Sequence, residues 1–375
     1  HTLGLPHNMG SSVAYPVDSL RSKSFTDKYG TAPSIMDYAR FNYVAQPGDG
    51  DVSMMPNIGV YDKYSIKWGY RPILDKEGME EKPILDQWIL EHAGDPLYRF
   101  GAQQWSVVDP SSQTEDLGDD AVKASNYGIE NLKRIIPNLI SWTSEDGKDY
   151  DDLETLYGQV LTQFNRYMGH VSNNIGGVYQ YNKTYDQEGA VFFPVPKERQ
   201  EESMQFLQDQ LFTTPEWMID NNILNKIENN GNVERIRGLQ VRTLENVLDF
   251  GRLGRMIENE TLNGKEAYTL TEMMNDLRSG IFSELRSGKK IDTYRRNLQR
   301  AYVDRLEYLL TEEQSGRRSA TSVNVSQSDI RAIARAELNT LKRSVRSAIG
   351  RTGDALSRYH LQDLMERIDL ILDPR

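Results

Sequence analysis

The sequence contains no cysteine among its 375 residues. Disulfide bonds, thiolate metal sites and a cysteine nucleophile are therefore excluded, and a metal ion must be held by His, Asp, Glu or Tyr side chains. No run of about 18 apolar residues occurs, so no transmembrane segment is predicted. Basic residues are in the minority, with 44 Lys and Arg against 55 Asp and Glu, and the net charge of −11 argues against nucleic-acid binding.

The chain is long enough for two or three packed domains, and its periodicity predicts a mainly α fold. Residues 1–60 carry closely spaced Pro and Gly and are predicted to be loop-rich. Residues 61–200 are predicted to be mixed but mostly helical, with one β-hairpin near 177–194 around a turn at 186–189. Residues 201–375 are predicted to form a helical C-terminal domain.

Shorter patterns give local predictions. The alternation of residues 64–70 favours a strand or an extended loop, and residues 84–92 favour a short helix. Asp119 and Asp120 precede a helical pattern and are predicted to cap its free N–H groups. The small polar residues of 315–328 lack periodicity and predict an exposed loop.

Two amphipathic helices are predicted after residue 281. Their apolar faces are Ile291, Tyr294, Leu298, Tyr302, Leu306 and Leu309 in the first, and Ala334, Leu338, Leu341, Val345 and Ala348 in the second. Residues 281–375 carry 18 Lys and Arg against 13 Asp and Glu. These bases either cover the solvent faces of the helices or form a basic docking face for the acidic part of the chain, residues 1–280.

The strongest chemical signal is at the start of the chain. His1, Gly4 and His7 have the spacing H-x-x-G-x-x-H, which matches the second half of H-E-x-x-H-x-x-G-x-x-H. In that pattern a glycine in the left-handed conformation turns the chain after the helix, and three histidines meet at one zinc ion. We interpret His1 and His7 as two zinc ligands. The alternative is a flexible N-terminus with two unrelated histidines.

A second motif follows at residues 34–38, with the sequence Ser-Ile-Met-Asp-Tyr. It resembles the Met-turn of the metzincin zinc peptidases, in which the Met side chain forms a hydrophobic floor beneath the metal. The resemblance assigns that position to Met36. It also puts Tyr38 where some metzincins have a hydroxyl that stabilises the oxyanion. Without the resemblance, Met36 would be core filler and Tyr38 a half-buried tyrosine.

Together these motifs resemble the met-zincin proteins of Gram-negative bacteria, as does the stretch Glu-Asp-Leu-Gly-Asp-Asp at 115–120. The resemblance implies a zinc metalloendopeptidase with one zinc ion and a protein or peptide substrate. It also implies an exported, periplasmic or outer-membrane-associated protein. The fold it implies is a loop-rich remnant of the catalytic domain followed by helices. The sequence does not indicate an oligomeric state.

The first half of the zinc pattern is not in the sequence, which has no initiator Met and starts at His1. By register, the first zinc histidine would lie four residues before His1 and the general-base glutamate three residues before it. We therefore expect this chain to be a portion of a longer protein and to be inactive alone, because it has two ligands and no base. The alternative function is a non-catalytic helical interaction module with a degenerate peptidase motif.

Other candidate residues are assigned structural roles. His92 and His170 are predicted at helix ends and His360 in the packed core, rather than at a metal. The acidic stretches 49–51 and 146–152 do not match a calcium-loop register, so solvated loops and a helix cap by Asp151 or Asp152 are favoured over calcium sites. The aromatic residues of 68–70 and 98–100 fit either a substrate subsite or core packing.

Overall fold

The computed structural model, which describes residues 1–314 and 322–374, is mainly α-helical and contains one antiparallel hairpin. This confirms the predicted fold class. Contacts divide the chain into unit 1, which comprises His1–Arg134 and Gly177–Pro194, and unit 2, which comprises Ile135–Gly176 and Val195–Arg375. The three-part domain division predicted from the sequence stays a prediction.

Unit 1 is built from short elements. Its helices and strands are α1 (Lys23–Tyr29), α2 (Val60–Tyr70), α3 (Lys82–Leu90), α4 (Ala121–Ile135, which ends at the unit boundary), β1 (Val178–Gln180) and β2 (Phe192–Pro194). Single 3-10 turns lie at Ser12–Ala14, Val17–Arg21, Ile35–Asp37, Gly78–Glu80 and Pro96–Tyr98. The loop-rich start is confirmed, and so is the hairpin, in which Tyr179 lies opposite Phe193.

The prediction of a strand or extended loop at 64–70 is wrong, because these residues belong to helix α2. The Asp62 carboxylate accepts a hydrogen bond from the Gly59 N–H at 2.8 Å, which satisfies a free donor at the helix start. Tyr64 and Trp68 are four residues apart. Side chains at this spacing share a face in a strand, which has a period of two residues, and also in a helix, which has a period of about 3.6. The alternation therefore did not discriminate between the two structures.

The other local predictions are mostly confirmed. Helix α3 confirms the helix predicted at 84–92, although it ends two residues earlier, at Leu90. Asp120 caps α4 by accepting the N–H of Lys123 at 2.9 Å. Asp119 does not cap this helix; its carboxylate accepts the N–H of Val17 at 3.0 Å and so holds a loop instead.

Unit 2 is a helical assembly. Its helices are α5 (Leu139–Thr143), α6 (Asp151–Ser172), α7 (Lys197–Leu207), α8 (Asn221–Ile227), α9 (Asn232–Val247), α10 (Phe250–Asn263), α11 (Leu270–Ile281), α12 (Glu284–Ser287), α13 (Thr293–Thr311), α14 (Ile330–Ile349) and α15 (Ala355–Leu372). A π turn covers Gln208–Phe212, and 3-10 turns cover Ile136–Asn138, Glu216–Met218, Gly264–Glu266 and Val325–Gln327. Helix α13 packs against α9, α14 and α15, and α6 packs against α7 and α9.

The apolar face predicted for α14 is confirmed, and that for α13 is confirmed from Leu298 onward, because Ile291 precedes the helix and Tyr294 is only half-buried. All five predicted positions of α14 are buried, and in α13 Leu298, Tyr302, Leu306 and Leu309 are buried. Several bases of this region pair with acids of neighbouring helices, as in Arg300–Asp363 and Arg367–Asp304. These pairs favour solvent-face charges over a docking face, which stays a prediction.

Two further sequence predictions concern loops and membranes. Of the predicted loop at 315–328, residues 315–321 lie outside the described residues, and the rest contains only the 3-10 turn Val325–Gln327. Within 1–314 and 322–374, no helix combines the length and apolarity needed to cross a bilayer.

Candidate metal centre

The structure brings His1 and His7 together at the surface of unit 1. Their Nε2 atoms are 3.1 Å apart, and the two rings meet edge to face with centroids 4.7 Å apart. Gly4 makes this possible, because its φ of +76° turns the chain back and its N–H donates to the His1 carbonyl at 2.9 Å. The glycine therefore has the turning role that the motif predicts.

Oxygen acceptors hold the other ring nitrogens. His1 Nδ1 lies 3.0 Å from the Leu5 carbonyl oxygen, and His7 Nδ1 lies 3.1 Å from Gln103 Oε1. Because both oxygens can only accept a hydrogen bond, each ring must carry its proton on Nδ1. Both Nε2 atoms therefore present lone pairs. Metal-binding histidines are typically oriented in this way by a second hydrogen bond.

This arrangement fits a metal ion. Two lone pairs that face each other at 3.1 Å repel unless a cation or proton lies between them. A tetrahedral zinc ion with Zn–N distances of about 2.0–2.1 Å places two nitrogen ligands roughly 3.3 Å apart, which is close to the distance between these atoms. His1 and His7 can therefore hold two positions of one zinc ion. Among residues 1–314 and 322–374 there is no cluster of three or more His, Asp or Glu side chains suited to a metal.

The Met-turn motif forms the 3-10 turn Ile35–Asp37, and Met36 is buried. The Met36 carbonyl accepts the N–H of Asn8 at 2.8 Å, so this turn is joined to the residue that follows His7. The Ser34 hydroxyl accepts the Met36 N–H at 3.0 Å and donates to Asp62 at 2.6 Å. Asp62 therefore anchors both the motif and the start of α2, a role that the sequence analysis missed.

Tyr38 lies beside the histidine pair. Its ring centroid is 5.4 Å from that of His7, and its side chain is partly exposed. The residue has a left-handed backbone with φ 66°, which is uncommon for a side chain other than Gly and Asn. Arg40 lies over the Tyr38 ring at 5.4 Å and pairs with Glu115 at 2.8 Å. Glu115, from the stretch 115–120, thus fixes the chain just after the Met-turn.

A buried acidic pair joins the Met-turn to the stretch 115–120. Asp37 is fully buried and accepts the Ser12 N–H at 2.5 Å, and Asp116 is buried as well. Arg99 offers partial charge compensation, although it already pairs with Asp109 at 2.8 Å. Burial raises the pKa of Asp37 to about 7, and burial together with the charge of Asp37 raises the pKa of Asp116 well above its usual value.

We expect Asp37→Asn to stabilise unit 1 at high pH. Because the folded-state pKa of Asp37 is raised, its contribution to stability is present below about pH 4 and is lost as the pH rises through about 7. The variant removes that loss, so it should gain about 2–3 kcal/mol on the wild type between pH 5 and pH 8. Hydrogen exchange of residues 8–16 at both pH values measures the difference.

Asp49→Asn is the matched control with the opposite sign. Hydrogen bonds from Arg21 lower the pKa of Asp49, so its contribution is present at neutral pH and is lost as the pH falls through the lowered pKa. This variant should be less stable than the wild type at both pH values. An Asp37→Asn protein whose disadvantage grows towards pH 8 would contradict the assignment of a raised pKa.

The remaining histidines have other contacts. His92 follows α3 and stacks on Tyr98 at 3.7 Å, and His170 is in the last turn of α6. His360 is confirmed as a packed side chain; burial lowers its pKa to about 3, and its Nε2 lies 2.8 Å from Gln299 Oε1. In the stretch 49–51, Asp49 is already bound to Arg21.

Comparison with known proteins adds a family relationship. A family model described as Met-zincin matches residues 1–289. No curated protein and no solved structure matches the chain. The matched range contains the histidine pair, the Met-turn motif and the stretch 115–120, and it ends before α13.

Proposed function

Because this chain belongs to the Met-zincin family, we propose that it is part of a zinc metallopeptidase and supplies the zinc ligands His1 and His7. The observation that carries the proposal is the pair of Nε2 atoms 3.1 Å apart, with each Nδ1 held by an oxygen acceptor. That tautomer leaves Nε2 free to bind a metal, and the second hydrogen bonds keep the rings from rotating away.

Bound zinc would supply a Lewis acid that activates water for attack on a peptide carbonyl. The chain's own residues have supporting roles. His1 and His7 hold the ion, and Gln103 and the Leu5 carbonyl fix the two rings. Met36, buried in its turn, would provide the apolar floor. The Tyr38 hydroxyl, on the ring next to His7, would donate a hydrogen bond to the oxyanion.

Hydrolysis also needs a third ligand and a general base. In the family pattern these are the His and Glu that stand four and three residues before the position of His1. We propose that both come from there in the full-length protein. The 375-residue chain should then bind zinc weakly and cleave nothing, because two imidazoles make a weak site and an unassisted water is a poor nucleophile.

The test compares the 375-residue chain with the full-length protein and with its Glu-to-Gln variant at the upstream base. The full-length protein should bind one zinc per chain and cleave casein. The Glu-to-Gln variant should keep its zinc and lose roughly 10²–10⁴-fold in rate. Casein cleavage by the 375-residue chain, or tight stoichiometric zinc binding by it in a calorimetric titration, would contradict the proposal.

The same test covers the alternative function. A full-length protein that binds no zinc and cleaves no casein would favour the non-catalytic interaction module. An exported, periplasmic or outer-membrane-associated location is proposed on the family resemblance alone. Fractionation of cells that express the full-length protein would test it.

A further inference from the structure

A large cavity in unit 1 begins at the turn between the two histidines. Its volume is about 1120 Å³, which lies slightly above the roughly 300–1,000 Å³ of pockets that hold drug-sized ligands. Leu3, Gly4, Leu5 and Pro6, which separate His1 from His7, form part of its wall. A ligand in this cavity would therefore lie next to the candidate metal centre.

Aromatic rings form the rest of the wall. Helix α2 contributes Tyr61, Tyr64, Trp68 and Tyr70, and the hairpin contributes Tyr179, Tyr181 and Phe193. The hairpin rings share one face, because Tyr179 and Phe193 are paired across the strands and Tyr181 is two residues further along. We call this space the aromatic cavity.

These rings are partly open to solvent. Trp68, Tyr181 and Phe193 are each 40–41% exposed, whereas aromatic side chains that only fill a core are buried. Exposed apolar surface gathered at one place marks a binding site in soluble proteins. The sequence allowed either a subsite or core packing for residues 68–70, and their exposure favours the subsite.

The charged residues in the wall are already engaged within the chain. Asp95 accepts the Leu97 N–H at 2.9 Å and caps a 3-10 turn. Arg99 pairs with Asp109, and Lys183 donates to the Glu188 carbonyl at 2.6 Å. The aromatic cavity therefore offers rings and few free charges, which suits an apolar ligand over a charged one.

We propose that the aromatic cavity binds a peptide segment with bulky apolar side chains and so selects the substrate of this protein. The proposal rests on the proposed peptidase function and adds a substrate class to it. The Tyr70 hydroxyl donates to the Leu3 carbonyl at 2.9 Å, which ties the cavity wall to the turn between the zinc ligands. A segment held by the rings would place its neighbouring peptide bond near that turn.

Binding can be measured without catalysis. Calorimetry in EDTA would compare the peptide Ac-Gly-Phe-Leu-Phe-Gly-NH2 with Ac-Gly-Ala-Ala-Ala-Gly-NH2 on the 375-residue chain. Only the first should bind, and Phe193→Ala should weaken it about tenfold. Phe192→Ala is the matched control. Phe192 is the residue before Phe193 in β2, so its side chain points to the opposite face of the hairpin, and it lies outside the cavity wall.

A second pair of variants guards against misfolding. Trp68→Ala alters the wall from α2, and Trp105→Ala removes a fully exposed ring elsewhere in unit 1. Circular dichroism confirms that each variant is folded. Equal binding of both peptides, or equal losses in Phe192→Ala and Phe193→Ala, would overturn the proposal.

A separate zinc titration of the full-length protein distinguishes the two proposals. Selective peptide binding without zinc binding would overturn the peptidase and leave the cavity as a peptide-binding site. Zinc binding without peptide selectivity would overturn the cavity proposal alone.

Discussion

Replacing His7 by alanine in the full-length protein is expected to weaken zinc binding more than about 100-fold and to abolish peptide hydrolysis. The change removes the Nε2 atom that lies 3.1 Å from that of His1. The remaining ligands would then hold the ion with an incomplete nitrogen set. Competition with a chromophoric chelator measures the affinity, and His92→Ala, a histidine of the same unit outside the pair, should leave it unchanged.

Gln103 offers a graded version of this experiment. Gln103→Leu removes the acceptor of the His7 Nδ1–H and should weaken zinc binding roughly 10–100-fold. Gln103→Glu keeps an acceptor and should bind zinc at least as tightly as the wild type. Nitrogen NMR of the metal-free protein should show His7 protonated at Nδ1 in the wild type and mixed tautomers in Gln103→Leu. Unchanged affinity in His7→Ala would place the metal elsewhere.

The sequence was sufficient to predict the parts of the site that are close together along the chain. His1, Gly4 and His7 lie within seven residues, so a single turn of the backbone decides whether the two rings meet. Gly4 allows the chain to turn at this position, because glycine adopts a positive φ at little energetic cost. The roles of His1, His7, Met36 and Tyr38 at a metal stay predictions.

The supporting residues could not be predicted, because their contacts are distant in sequence. Gln103 lies 96 residues after His7, and a single glutamine forms no pattern. Asp62 contacts Ser34 across 28 residues. Burial of Asp37 beside Asp116 depends on the packing of two segments that are nearly 80 residues apart, and neither segment alone indicates a raised pKa.

The error at α2 has a related cause. An ordinary surface helix shows a continuous apolar stripe, because one face packs against a core. The stripe of α2 faces the aromatic cavity instead, and only Asp62 is fully buried in this helix. Because the aromatic residues of α2 line a cavity and none of them is fully buried, the apolar pattern in the sequence did not distinguish a helix from a strand.

In unit 2, Arg252→Met is expected to cost about 3–5 kcal/mol of stability. Arg252 is 3% exposed, and its guanidinium donates to the carbonyls of Ser172, Ile175 and Asn246 and to the side chains of Asn173 and Asn246. Arg252, at the start of α10, thereby hydrogen-bonds carbonyls at or just after the ends of α6 and α9. Methionine fills a similar volume but removes all of these hydrogen bonds.

The comparison of Arg252→Met with Arg252→Lys separates hydrogen bonding from charge. Burial lowers the pKa of Arg252 to about 9, so the guanidinium is still charged at neutral pH and its desolvation opposes folding. Lysine keeps the charge but has three donors in place of five, so it should fall between wild type and Arg252→Met in urea unfolding. Arg237→Lys, an exposed change in α9, should cost less than about 0.5 kcal/mol. If Arg252→Met is as stable as the wild type, the cost of desolvating the Arg252 charge is as large as the stabilisation from its hydrogen bonds.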